Sequence, residues 1–145
     1  MALTENIRQV QQRIQEAALR AGRDPGEITL VAATKVQTSE TIRQAIAGGI
    51  RVCGENRVQE FNQHWADGAY EGAEVHFIGH LQKNKIKYLV GKVSLIESVD
   101  SEELIRLIGL YSKNWLALDG VWFQSVEQKF GMDEAMLHDA RAWER

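Results

Sequence analysis

A lysine that ends a buried strand can act as an amine nucleophile, and Lys35 has that setting in the sequence. Ile28-Thr29-Leu30-Val31-Ala32-Ala33-Thr34-Lys35 is apolar or β-branched up to its last residue. Asp24-Pro25-Gly26 precedes it and Gln37-Thr38-Ser39 follows, so the run reads as a strand between two loops. Strands buried on both faces suit a parallel sheet covered by helices, where ligands sit at the carboxyl ends. A free lysine, with a pKa of ~10.4, is protonated at neutral pH. Desolvation at a strand end disfavours the ammonium and exposes the nucleophile. The plainer reading of Lys35 is a surface lysine where the strand leaves the core.

The other reactive residues form weaker patterns. His76 and His80 are four apart, but on a strand and the loop after it, where they share no helical face. A metal would need a third ligand, and neither Cys53 nor His64 has a recognisable spacing to them, so no metal site is assigned. Cys53 has no acid–base partner that the sequence identifies and reads as a small core residue. Lys83, Lys85, Lys87 and Lys92 form a basic patch that reads as a solvated helix face.

The elements that would position these residues alternate. Leu3, Ile7, Val10, Ile14, Ala17 and Ala21 recur at helical spacing, with Thr4 as cap and Gly22 in the left-handed closing position. After the Lys35 strand, Thr38 or Ser39 opens a helix carrying Ile42, Ala45 and Ile46. Arg51–Gly54 is a short strand, and Asn56 with Gln59 resembles a capping box for a helix with Val58, Phe61 and Trp65 inward. Val75–Gly79 is the third strand, followed by a helix over Gln82–Val90 with Ile86, Leu89 and Val90 inward. Val93–Val99 is the fourth, and Asp100 with Glu103 caps the helix after it. A fifth strand over Gly120–Val126 and a last helix over Asp133–Trp143 complete the pattern. Strict alternation implies a parallel α/β sheet with right-handed crossovers, either open and doubly wound or part of a (β/α)8 barrel. The turn Thr34-Lys35-Val36-Gln37 is not a Gly-rich phosphate loop, which weighs against the nucleotide-binding form of the open sheet.

The totals bound the function. At 145 residues, 44% apolar and 26% charged, the chain should be a single globular domain, 1–145. A net charge of -3 argues against a general nucleic-acid partner. One cysteine allows no internal disulfide and fits a reducing cytoplasm. No stretch approaches the ~18 apolar residues of a membrane span, so no membrane association is expected.

Four segments carry a likeness to a known family. Thr29–Lys35, Gly54-Glu55-Asn56-Arg57-Val58-Gln59-Glu60, His76–Lys85 (HFIGHLQKNK) and Ser98-Val99-Asp100-Ser101 occur in order. They resemble the lysine strand, the GEN-x-VQE segment, the HFIG-x-LQ-x-NK segment and the SVDS segment of the pyridoxal phosphate homeostasis proteins, also called the YggS or PROSC family. The close match covers about residues 22–107, whereas 111–145 is divergent or shortened.

The resemblance implies a parallel (β/α) TIM-barrel type fold like the N-terminal domain of alanine racemase. With five strands here, it would be a truncated or incomplete barrel. The implied cofactor is pyridoxal 5'-phosphate (PLP), held as a Schiff base on Lys35, with Asn56, His76 and Ser98 near its ring or the barrel mouth. The loops that hold the cofactor phosphate in the family have no counterpart in the sequence. The family serves intracellular vitamin B6 homeostasis without an established turnover reaction, so no catalytic residue is assigned. PLP-dependent apoenzymes would be partners, and an incomplete barrel would leave edges that a homo-oligomer could cover. Two other readings stay open: a PLP-dependent, racemase-like enzyme, and a truncated interaction module that binds no cofactor.

Overall fold

The computed structural model of the protein describes residues 2–113. Contacts divide the chain into two compact units, Met1–Asp100 and Ser101–Arg145. The fifth strand and the last helix expected from the sequence lie outside the described residues.

The first unit begins with helix α1, Ala2–Arg20, which buries Ile7 and Ala18. Thr4 therefore lies inside the first turn instead of capping it. At the far end the Arg23 N–H reaches the Ala18 carbonyl and the Gly22 N–H the Leu19 carbonyl, with Gly22 at φ +68°. That is the double closing bond of a Schellman motif, which needs a left-handed residue. α2, Ser39–Ala47, and α3, Val58–Ala66, end the same way at Gly49 and Gly68. Each helix thus stops sharply and turns its chain back to the sheet. Thr38 caps α2, its hydroxyl accepting the Thr41 N–H at 3.1 Å. α3 has Arg57 at its N-cap and no side-chain cap, so Asn56 and Gln59 do not form the expected capping box.

The strands are β1 Val31–Ala33, β2 Val52–Glu55, β3 Glu74–Phe77 and β4 Leu95–Ile96. They pair in parallel in the order β1-β2-β3-β4. Ala33 lies opposite Gly54, Gly54 opposite His76, and His76 opposite Leu95. The sheet is open among the described residues. One parity of β2 and β3 is core: Cys53, Glu55, Val75 and Phe77 are buried, and α3 packs there through Phe61. On the other parity Val31 and Ile78 close over Gly54, where a Cβ would stand 2.9 Å from Ile78 Cδ1 and 3.0 Å from Val31 Cγ1.

Several elements are shorter than their patterns, β1 among them with three residues of the expected eight. The expected helix over Gln82–Val90 is a 3-10 helix, Lys83–Tyr88, followed by a turn. Ile86 and Leu89 are buried three residues apart, a spacing that a tight helix places on one side as an α-helix would. β4 spans two residues of the expected seven.

The second unit is described over residues 102–113, a helix (α4) whose Leu104 is buried. Its start is capped by the Ser101 hydroxyl, 3.3 Å from the Leu104 N–H, in the place expected of Asp100.

Candidate functional site

The turn Thr34–Gln37 leaves the carboxyl end of β1 and is tied at several points. The Gln37 N–H closes it on the Thr34 carbonyl at 3.1 Å, and the Thr34 N–H donates to the Gly54 carbonyl at 2.9 Å. Between them Val36 takes φ +58°, the left-handed region, where the third position of such a turn usually holds glycine or asparagine. The Val36 N–H donates to Glu60 Oε2 at 3.0 Å, and Arg57 Nη1 donates to Glu60 Oε1 at 3.2 Å.

Lys35 sits at the tip of this turn and is exposed. Val31 and Ala32 are half-buried and Ala33 is exposed, so the strand is not buried on both faces as its composition suggests. The reason is position: β1 is an edge strand of the described sheet. The Lys35 side chain is therefore at the surface, and not at the end of a strand buried on both faces as the sequence pattern implied.

A polar cluster that the sequence reading missed lies behind the turn. Glu55, at the end of β2, has no exposed surface. Its Oε1 accepts the Thr34 hydroxyl at 2.6 Å and the Tyr70 hydroxyl at 2.9 Å. His64 Nδ1 lies 3.1 Å from the same oxygen and 3.2 Å from Tyr70 Oη. His64 Nε2 donates to the Gln37 carbonyl at 3.1 Å, since a carbonyl oxygen can only accept. Burial first, then the Glu55 charge, pushes the Tyr70 phenol well above its ordinary range. The same two causes push the Cys53 thiol up to about 11, which keeps it a neutral core residue. One signal was available for His64: it lies three residues after Phe61, on the buried face of α3.

The remaining candidate residues occupy the same end of the sheet. Asn56 follows β2, and its backbone is so close to Gly79 that a Cβ there would stand 2.1 Å from the Asn56 carbonyl oxygen. Asn56 Oδ1 is buried and has no hydrogen-bond partner. Ser98 follows β4, and its Oγ is likewise buried and unpartnered. His76 lies one level deeper, within β3, and donates from Nδ1 to Glu97 Oε1 at 2.8 Å. Lys35, Asn56 and Ser98 thus stand at the ends of three strands of one sheet, with His76 engaged by a carboxylate below them. His80 is exposed, with Nδ1 3.7 Å from Asp100 Oδ2. Among the described residues no three His, Cys, Asp or Glu side chains gather to hold a metal.

Parallel strands alternating with helices, with reactive residues at their carboxyl ends, define a (β/α)-barrel-type α/β chain that is open among the described residues. Within that class the chain is related to the pyridoxal phosphate homeostasis proteins. It is 45% identical over 104 residues to the pyridoxal phosphate homeostasis protein of Aquifex aeolicus, covering 72% of this chain and 46% of that one. It is 43% identical over 137 residues to the Deinococcus radiodurans protein of that name, covering 89% of this chain and 64% of its relative. The fold is similar to that of PipY from Synechococcus elongatus, solved with PLP bound, at a TM-score of 0.58 and 33% identity over 70% of this chain and 49% of PipY. The chain thus spans between about half and two-thirds of the length of these relatives. Residues 97–145 also match a family of unknown function, DUF6125. Among the described residues no helix is long and apolar enough to cross a membrane.

Proposed function

We propose that the chain binds PLP and serves intracellular vitamin B6 homeostasis, holding the cofactor as a Schiff base on Lys35. The observation that carries this reading is the pair of buried, unpartnered polar atoms, Asn56 Oδ1 and Ser98 Oγ, at the sheet end that bears Lys35. Buried polar atoms are nearly always satisfied, so two orphans at one sheet end suit a polar ligand. When bound, PLP supplies an aldehyde that a primary amine can capture. Lys35 would hold the aldehyde carbon through its amine, with one water released for the bond formed. Asn56 and Ser98 offer hydrogen bonds to the ring substituents. His76, held by Glu97, presents an imidazole of fixed orientation one level deeper. The names of the relatives and the bound PLP of PipY support the same cofactor. The domain acts as a holder of cofactor in the cytoplasm, with PLP-dependent apoenzymes as its recipients.

Borohydride reduction of the PLP-treated chain, followed by peptide mapping, tests the assignment. The trapped cofactor is expected chiefly on Lys35, and recovery chiefly on another lysine would overturn it. A racemase assay with alanine separates this reading from the enzymatic one, which predicts measurable turnover.

A further inference from the structure

Resting on that reading of Lys35, we propose that Glu60 is a positioning residue for the cofactor lysine: by accepting the Val36 N–H it holds the turn that aims Lys35.

The case starts from an unfavourable backbone. Val36 is β-branched, lies at φ +58° and is 79% exposed, so neither its own preference nor packing holds it there. Valine occupies the turn position that glycine would take without strain. A conformation of this kind persists only where the surroundings over-determine it. Here they do so from three directions. Thr34 is fixed to β2 through its own N–H and through Glu55, Gln37 is fixed to α3 through His64, and the N–H of Val36 is fixed by Glu60. The first two contacts hold the ends of the turn. Only the third acts inside it, on the peptide unit that joins Lys35 to Val36. Glu60 is itself oriented by Arg57 at the N-cap of the same helix. Without that contact the left-handed conformation of Val36 can relax, and the direction in which Lys35 leaves the turn relaxes with it. The carboxylate thus converts the rigidity of α3 into a defined direction for a solvent-exposed amine.

Strain and clamp are separable by substitution, which gives the test. Glu60→Ala removes the acceptor. Glu60→Gln keeps a carbonyl oxygen at the same reach. Glu60→Ala combined with Val36→Gly removes the acceptor and the strain together. Two quantities are read on the full chain: hydrogen exchange of the amide at position 36, and the share of borohydride-trapped PLP on Lys35 relative to all other lysines at limiting PLP. In Glu60→Ala we expect exchange at position 36 to rise about tenfold, the scale of one hydrogen bond to a charged group. The Lys35 share should fall several-fold with little change in melting temperature. Glu60→Gln should keep most of both, and adding Val36→Gly to Glu60→Ala should restore much of the Lys35 share without restoring protection. Unchanged exchange at position 36 in Glu60→Ala would overturn the clamp. Faster exchange with an unchanged Lys35 share would overturn the positioning role. If the unaltered chain traps PLP mainly on other lysines, the cofactor assignment fails instead, and the exchange result still decides the clamp.

Discussion

The Thr34 hydroxyl lies 2.6 Å from Glu55 Oε1, which couples the residue before the candidate lysine to a fully buried carboxylate. A bond this short is typical of an O–H donating to an ionised acceptor. The same oxygen also meets Tyr70 and His64, so the end of β1, the end of β2, α3 and the loop after α3 converge on one atom. Glu55 Oε2 has no partner, so the stabilisation gathers on the Oε1 side.

Removing that carboxylate should be costly. In Glu55→Ala the Thr34 and Tyr70 hydroxyls and His64 Nδ1 lose a shared partner inside the core. Leaving a buried polar group unsatisfied costs about 1–3 kcal/mol. Urea unfolding of the variant should show the loss as a lower midpoint, and a cost below ~1 kcal/mol would mean that water or rearrangement satisfies the groups left behind.

High pH should act through the other side of the cluster. The folded chain raises the Tyr70 phenol above its ordinary value of 10.0 and the Cys53 thiol from 9.0 to about 11. A raised pKa means that the folded state holds the proton more tightly than the unfolded chain does. This contribution is complete below the unfolded values and is lost as pH rises past them. Stability should therefore decline from about pH 9 upward. In Tyr70→Phe the decline should be shallower above pH 10, although the variant is less stable at neutral pH. An identical pH slope in both chains would contradict the assignment.

The fold was most legible where pattern and chemistry agreed. Gly22 was readable as a left-handed stop, and Ile42, Ala45 and Ile46 as the buried stripe of α2, because 3.6-residue spacing and a backbone requirement leave little choice. The Lys35 strand was overextended. Ile28 to Leu30 are as apolar as a strand but have no backbone partner in the ladder, since pairing runs only from Val31 opposite Val52 to Ala33 opposite Gly54. The candidate site was half legible: Lys35, Asn56, His76 and Ser98 could be named, but not Glu55, His64, Tyr70 or Glu60. Those four act through contacts 6 to 27 residues apart in sequence, which no periodicity reports.

Gly79 should resist any side chain. A Cβ there would overlap the carbonyl oxygen, Cα and carbonyl carbon of Asn56 at 2.1–2.6 Å, and all three are backbone atoms that cannot rotate away. Gly79→Ala should cost at least about 2 kcal/mol, in the range of strained overpacking. It should also move Asn56 and weaken PLP retention more than its stability loss alone explains. A variant with unaltered melting and unaltered cofactor binding would show that the loop at Gly79 shifts freely.

Lys35→Ala should do the reverse. The side chain is exposed, and its removal should leave stability within about 0.5 kcal/mol. The visible imine absorbance of the PLP-treated chain should disappear in this variant, while thermal unfolding stays in place. Retained absorbance would assign the amine to another lysine.

Acid should weaken, without abolishing, the contact by which Glu60 holds the Lys35 turn. Accepting the Val36 N–H is the main cause that draws the Glu60 carboxyl below its ordinary value of 4.5, with Arg57 adding to it. A lowered folded pKa means that the hydrogen bond favours the ionised form, so its contribution is complete above the unfolded value. It is lost as pH falls through the folded one. The position-36 amide resonance, followed by NMR through an acid titration, should therefore move with an inflection below pH 4.5. The Ile42 amide, bonded to the Thr38 carbonyl, should not follow that inflection. In Glu60→Gln the group that titrates is gone, and the inflection at position 36 should vanish with it. An inflection at or above 4.5, or one that survives in Glu60→Gln, would mean that some other group governs the turn.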